Sequence, residues 1–212
     1  MTDLSSLSVR DFTAALASDA PAPGGGSASA AAGPAGAALL AMVVRLTLGR
    51  EKYREAWAEL EPHARDADVA RTRLLELINE DTSAYDAIVA ARKLPKETPE
   101  EKGARKKAID DATLLATAVP MQTAYFSQKV LAVAPAVIEK GNPNCASDLL
   151  VAALLLASAV EGAVANVRIN LPGVADAEIA RSYSEESSEL LRSSQDALAA
   201  VRATAAKRGL AG

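Results

Sequence analysis

The chain has 212 residues, half of them hydrophobic by count and only 3% aromatic, with a formal net charge of −4. That length suits one domain, and the acidic balance excludes the basic footprint needed to hold a nucleic-acid backbone. A single cysteine, Cys145, excludes an intrachain disulfide framework and is compatible with a reducing cytoplasm.

The apolar residues are mostly Ala, Leu and Val, and alternating β-branched or aromatic runs are absent. The expectation is therefore an all-α, single-domain bundle of six or seven helices. Small side chains let such helices approach closely. Ser8 is placed to cap a short helix in VRDFTAALASD, which ends before Pro21. The turn Gly24, Gly25, Gly26 leads into a second helix over about residues 27–48. Pro34 should kink that helix or mark its start. Residues 51–94 read as helical, with Pro62 the one interruption and Trp57, Leu60, Leu74, Leu77, Ile78 and Ile88 forming an apolar face.

Thr98, then Pro99 and two glutamates, is a helix start with cap, first-position proline and favourable charges. This helix should pass Pro120 with a kink. Residues 139–148 form a loop, and Ser147 or Asp148 caps an apolar helix that ends at INLPGV. A final polar helix covers about residues 175–208. The stretches 27–44 and 149–165 approach the length of a membrane span, but alanine dominates both and Glu161 would be costly in lipid. They read as buried helices, without a membrane role. MTDLSSLSVRDF lacks a basic segment followed by an apolar one, so no secretory signal is expected. The second and fifth helices are apolar nearly all round, which one protomer is not expected to cover. A homodimer formed through helices follows.

Few residues are equipped for chemistry. His63 is the only histidine, which excludes histidine-pair catalysis and histidine-rich zinc sites. Cys145 lies in a polar loop without a basic neighbour to activate it. No metal site is expected. A GGGS string is often only a loop, but this one precedes a helix N-terminus, where free N–H groups and the helix dipole favour an anion. No Lys-Ser/Thr follows, so it is no nucleotide P-loop, and a carboxylate or small polar ligand fits better. NEDTSAYD puts Asp81 and Tyr85 one turn apart on one face. Asp148 is either a helix cap or a polar contact. Asn166 and Asn170, at i and i+4 beside an apolar helix, mark a polar site or a pair of structural hydrogen bonds.

Together, PAPGGGSASAAAGPAGAALLAMVVRLTLGREKY, NEDTSAYDAIVAARKLP and KGNPNCASDLLVAALLLASAVEGAVANVRINLPGV resemble the cyclodeaminase/cyclohydrolase family over residues 5–205. That family holds stand-alone methenyltetrahydrofolate cyclohydrolases and the C-terminal half of formiminotransferase-cyclodeaminase. The resemblance implies an all-α fold, a helical dimer and a tetrahydrofolate substrate in a cleft, with no prosthetic group. It makes Gly24, Gly25, Gly26 and Ser27 a binding element and matches Asp81 to the aspartate regarded as catalytic. Lys52 and Tyr53 match the family's Lys-Tyr pair, although Arg50 and Glu51 stand where the family often carries lysine.

On this resemblance the expected reaction is hydrolysis of 5,10-methenyltetrahydrofolate to 10-formyltetrahydrofolate. Asp81 would stabilise the amidinium cation and take the water's proton, and Lys52 would donate a proton or hold a substrate carbonyl or carboxylate. Tyr53, Tyr85, Asp148, Asn166 and Asn170 complete the expected binding set. The alternatives are a 5-formiminotetrahydrofolate cyclodeaminase that releases ammonia, a folate-binding dimer without turnover, and a purely structural dimer.

Overall fold

The computed structural model describes residues 3–210, which contain seven α-helices and no strand. They are α1 (Val9–Leu16), α2 (Gly25–Leu48), α3 (Arg54–Arg92), α4 (Pro99–Leu131), α5 (Ala134–Lys140), α6 (Ala146–Asn170) and α7 (Ala177–Lys207). The capping chemistry sets several starts. Ser8 accepts from the Asp11 amide at the head of α1. Thr98 and Glu101 form a reciprocal capping box at the head of α4. Asp176 accepts from the Glu178 and Ile179 amides at the head of α7.

Three expectations need correction. Helix α2 starts at Gly25 and runs through Pro34, so the proline does not mark the start. Helix α3 is continuous from Arg54 through the exposed Pro62. Helix α6 starts at Ala146 without a side-chain cap, so neither Ser147 nor Asp148 caps it; both lie inside its first turn.

Helices α2, α3, α4 and α6 form a four-helix bundle in which α3 and α6 each pack against both α2 and α4. Helix α7 lies across α6 and α4, and α5 packs against α7. Leu40, Leu60, Leu74, Leu131, Leu149 and Leu156 fill the centre with no exposure. The remaining core positions are largely alanine and valine, so the packing gains come from short distances between helices. The glycines of α2 make that explicit. A β-carbon at Gly33 would lie 2.9 Å from Leu74 Cδ1, and one at Gly36 would lie 2.7 Å from Leu156 Cγ and 2.9 Å from the Ala152 carbonyl oxygen.

The order of these contacts fixes the directions. Gly33 meets Leu74 while Arg45 pairs with Asp68, so α2 and α3 are antiparallel. Gly36 meets Leu156 while Ser29 meets Gly162, so α2 and α6 are antiparallel as well. The head of α2 therefore shares one end of the bundle with the second half of α3 and the tail of α6. Next to that end, the N-terminal segment is tied to α3: the Leu4 amide donates to Asn79 Oδ1 (2.7 Å), and Asn79 Nδ2 donates to Asp3 Oδ1 (2.7 Å). At the other end Trp57, the one tryptophan, has a buried indole N–H without a partner.

Two glycine-to-alanine substitutions should act with opposite signs. Gly36→Ala forces a methyl into Leu156 and backbone and should destabilise by about 1–3 kcal/mol. Gly103→Ala on exposed α4 meets nothing within 4 Å and should stabilise by roughly 0.5–1 kcal/mol through helix propensity. Urea midpoints of the two variants, moving down and up respectively, check this.

Candidate active site

The shared end of α2, α3 and α6 opens into a cavity of about 230 Å³. Gly24, Gly25 and Gly26 form one wall, Asp81, Tyr85 and Ile88 a second, and Asn166, Ile169 and Asn170 a third. Each helical wall obeys a simple spacing. Positions 81, 85 and 88 recur along one face of α3, and 166, 169 and 170 along one face of α6.

Asp81 is held by the first turn of α2. Ser27 Oγ donates to Asp81 Oδ2 (2.8 Å), and the Ser27 backbone amide also bonds this carboxylate. The Thr82 hydroxyl lies 3.2 Å from Ser27 Oγ. Gly24, with extended backbone, occupies the cap position of α2 and has no side chain to serve the free N–H groups behind it. A carboxylate borrowed from α3 does part of that work, at the positive end of the helix dipole. The contact is possible only because residue 26 is glycine: a β-carbon there would collide with Asp81 Oδ1 and sit 2.6 Å from Asp81 Cγ.

Two opposing effects act on the Asp81 proton. Burial raises its pKa above the usual aspartate value of 3.8, and the two bonds from Ser27 pull it down without cancelling the rise. The carboxyl is thus a better proton acceptor than a solvated aspartate. The asparagines differ in what they do. Asn166 Nδ2 donates to the Gly162 carbonyl one turn earlier (2.8 Å), and a β-carbon on Gly25 would stand 3.8 Å from that nitrogen. Asn170 Nδ2 donates to the Ala116 carbonyl (2.8 Å) and ties the tail of α6 to α4.

The structure brings together Gly24, Gly25, Gly26, Ser27, Asp81, Tyr85, Asn166 and Asn170 from the residues expected in the sequence. It does not bring Lys52, Tyr53 or Asp148 to them within one chain. Lys52 and Tyr53 follow the tail of α2, at the opposite end of the bundle, and line a separate surface hollow with Glu59 and Lys140. Arg54 and Asp81 are separated by about 40 Å of helix at 1.5 Å per residue. There Lys52 Nζ sits 4.7 Å over the Tyr53 ring, and Tyr53 Oη donates to Asn142 Oδ1 (3.1 Å). Asp148 is in the first turn of α6, while Asn166 and Asn170 end it, so roughly 27 Å separates the two groups. The reason for both corrections is the antiparallel packing, which puts the two ends of α2 and of α6 at opposite ends of the bundle.

Cys145 also differs from expectation in its surroundings: the thiol is buried in the main core, and burial raises its pKa, with the Asp148 charge adding to the rise. The structure adds cavity residues absent from the expected set, namely Pro21, Ala22, Ile88, Ala116 and Ile169. Ile88 and Ile169 carry a helical-spacing signal, seven residues from Asp81 and three from Asn166; the others carry none. No lysine or arginine lines the cavity, which leaves Asp81 as its one formal charge. Among the described residues no group of three or more His, Cys, Asp or Glu side chains is arranged to hold a metal.

Comparison with known proteins adds four findings. Residues 8–189 match the family model described as Formiminotransferase-cyclodeaminase. A methenyltetrahydrofolate cyclohydrolase from Methylorubrum extorquens is 40% identical over 178 residues, 84% of each chain. A formimidoyltransferase-cyclodeaminase from Sus scrofa is 36% identical over 91% of this chain, which spans 36% of that longer protein. Among solved structures, a formiminotetrahydrofolate cyclodeaminase from Thermotoga maritima superposes with a TM-score of 0.84 at 27% identity, over 94% of this chain and 96% of the other.

The raised Asp81 pKa has a consequence for stability. The folded state holds this proton more tightly than the unfolded chain, so stability is greatest below pH 3.8 on this account and falls as pH rises through the folded value. Asp81→Asn removes the buried charge and should stabilise the protein at neutral pH relative to wild type. Urea denaturation from pH 4 to 8 should show the gap between the two opening as pH rises; a constant gap contradicts the assignment.

Proposed function

The chain belongs to the formiminotransferase-cyclodeaminase family, and from that membership we propose that it hydrolyses 5,10-methenyltetrahydrofolate to 10-formyltetrahydrofolate. The observation that carries this reading is the lone, half-buried Asp81 facing a cavity with no cationic side chain. The substrate's reacting carbon sits in a cationic amidinium between two nitrogens, N5 and N10. A single carboxylate in a poorly hydrated site is the complement of that charge.

The chemistry then runs through one group. Ionised Asp81 takes a proton from water as the water oxygen bonds to the amidinium carbon, giving a neutral hydroxyl adduct. Protonated Asp81 next delivers its proton to N5 as the carbon–N5 bond breaks. The hydroxyl proton leaves to solvent, and the carbon stays on N10 as a formyl group. One water is consumed and one proton released. A carboxyl with a raised pKa serves both steps better than an ordinary one. Tyr85, Asn166 and Asn170 border the same cavity and supply polar contacts for the pterin edge.

A cyclodeaminase reading has its own support in the Thermotoga maritima structure, whose name gives formiminotetrahydrofolate as the substrate. Attack of N10 on the formimino carbon with loss of ammonia passes through a similar tetrahedral centre, so one site can serve either reaction. The full reading makes the protein a cytoplasmic homodimer. Its supports are the buried lone thiol of Cys145 and the apolar side of α2 and α6 that the protomer leaves uncovered.

Absorbance of 5,10-methenyltetrahydrofolate tests the proposal. Purified protein should accelerate decay of that chromophore, and Asp81→Asn should lose roughly 10²–10⁴-fold in turnover with little change in folate affinity. Turnover by wild type should fall as pH drops through the raised Asp81 pKa. Ser27→Ala, which removes a bond that lowers this pKa, should move the fall to higher pH. Equal activity in Asp81→Asn defeats the mechanism. Appearance of the chromophore from 5-formiminotetrahydrofolate, without decay of the methenyl compound, selects the cyclodeaminase.

A further inference from the structure

The hydroxyl of Thr82 is turned away from its own helix. Inside a helix a threonine hydroxyl commonly donates to the carbonyl one turn earlier. Thr47, Thr72 and Thr117 do so on Val43, Asp68 and Thr113 (2.8, 3.1 and 2.8 Å). Ser83, the next residue of α3, donates to the Asn79 carbonyl in the same way (2.9 Å). Thr82 does not. Its Oγ1 lies 3.2 Å from Ser27 Oγ on α2, and this is the one hydrogen bond of its side chain among the described residues. Ser27 is fully buried, so no water competes for its hydroxyl. The direction of that hydroxyl is set by the two groups it meets, Asp81 Oδ2 and Thr82.

Counting hydrogens fixes the order of this chain. A carboxylate ion only accepts, and Ser27 has one hydroxyl hydrogen. The 2.8 Å bond to Asp81 Oδ2 uses it, so the Thr82 hydroxyl is the donor to Ser27. Donors in series polarise one another, and a hydrogen arriving on Ser27 Oγ makes Ser27 the stronger donor to the carboxylate. It also removes the arrangement in which Ser27 spends its hydrogen on Thr82 and leaves Asp81 with the backbone amide alone. Oδ2 is thereby engaged. Oδ1, which no side chain bonds among the described residues, is left to take a proton.

We propose that Thr82 is a positioning residue for Asp81: through the hydroxyl of Ser27 it keeps one carboxylate oxygen engaged and directs proton uptake from water to the other. The inference rests on the reading of Asp81 as the base of the hydrolysis, and it adds a residue that does not line the cavity. No second charge competes for the role. Facing Asp81 are Gly26 and Ser27 of α2, Asn166 and Asn170 of α6, Ala116 of α4 and Tyr85 of α3, among which only the Tyr85 phenol titrates. Of the neighbouring carboxylates, Glu80 is bonded to Arg73 (2.8 Å) and Asp3 to Asn79 (2.7 Å). Losing the Thr82 hydroxyl weakens the donor that stabilises ionised Asp81, so the carboxyl keeps its proton to higher pH. A hydroxyl that only ties α2 to α3 would change stability and leave the titration in place.

The pH dependence of methenyl hydrolysis in Thr82 and Ser27 variants is the test. Thr82→Val, which keeps the shape and loses the hydroxyl, should move the acid limb of kcat upward by about 0.2–0.6 pH unit. Thr82→Ala should give the same shift, and Thr82→Ser, which restores the donor, should return the limb to its wild-type position. In a Ser27→Ala background, where the intermediary is gone, Thr82→Val should add no shift. An unmoved limb in both variants without the hydroxyl, or an equal shift with and without Ser27, overturns the proposal. A second measurement needs no substrate. In carbon-13 NMR of aspartate-labelled protein, the Asp81 carboxyl is identified by its loss in Asp81→Asn. Its titration should move upward in Thr82→Val and return in Thr82→Ser. A titration that moves in this way in a protein without folate turnover supports the Thr82–Ser27–Asp81 chain and removes the folate reading. Turnover together with an Asp81 titration indifferent to Thr82 overturns the proposal and leaves the folate reading standing.

Discussion

The contact between Asp81 and the first turn of α2 is the constraint on which the cavity depends. A carboxylate from one helix supplies the acceptor that the head of another lacks, and it reaches there because residue 26 has no side chain. The same contact positions the charge, shields it from water and leaves its proton affinity raised. Site and scaffold are thus not separable here, since the group that satisfies the backbone of α2 is the group that faces the cavity. The neutral-pH strain of a buried charge at such a place is a common feature of sites where function is kept at some cost in stability.

Close approach is also the rule for the rest of the bundle. Gly33 and Gly36 on α2 lie against Leu74 and Leu156, and Gly162 on α6 lies against Ser29. Each allows a helix pair to run nearer than a β-carbon would permit, which suits a core with few aromatic side chains. This explains why the fold class was legible: alanine-rich composition, the Thr98 capping box and the Ser8 cap are local signals, and local signals decide helices. Pro62, expected to interrupt its helix, was harder. Pro34, Pro62 and Pro120 all sit inside continuous helices, because tertiary packing along a long helix outweighs the one hydrogen bond each removes.

The site was legible where its signal was a helical spacing or a turn. Asp81 with Tyr85, Asn166 with Asn170 and the three glycines are such signals, and three-dimensional packing gathers them into one cavity. Lys52, Tyr53 and Asp148 show the limit. Their motif neighbours are adjacent in sequence, yet antiparallel helices carry the two ends of one segment to opposite ends of the molecule. Pro21, Ala22 and Ala116 were not legible at all, since a backbone wall carries no residue-type signature.

The placement of Trp57 has a spectroscopic consequence. It is the only tryptophan, it lies five residues beyond Lys52, and about 36 Å of α3 separates it from Asp81 in the same chain. Ultraviolet emission from this protein is therefore a single-reporter signal from the α2–α3 junction. A ligand that occupies the Asp81 cavity of the same chain cannot quench it by contact.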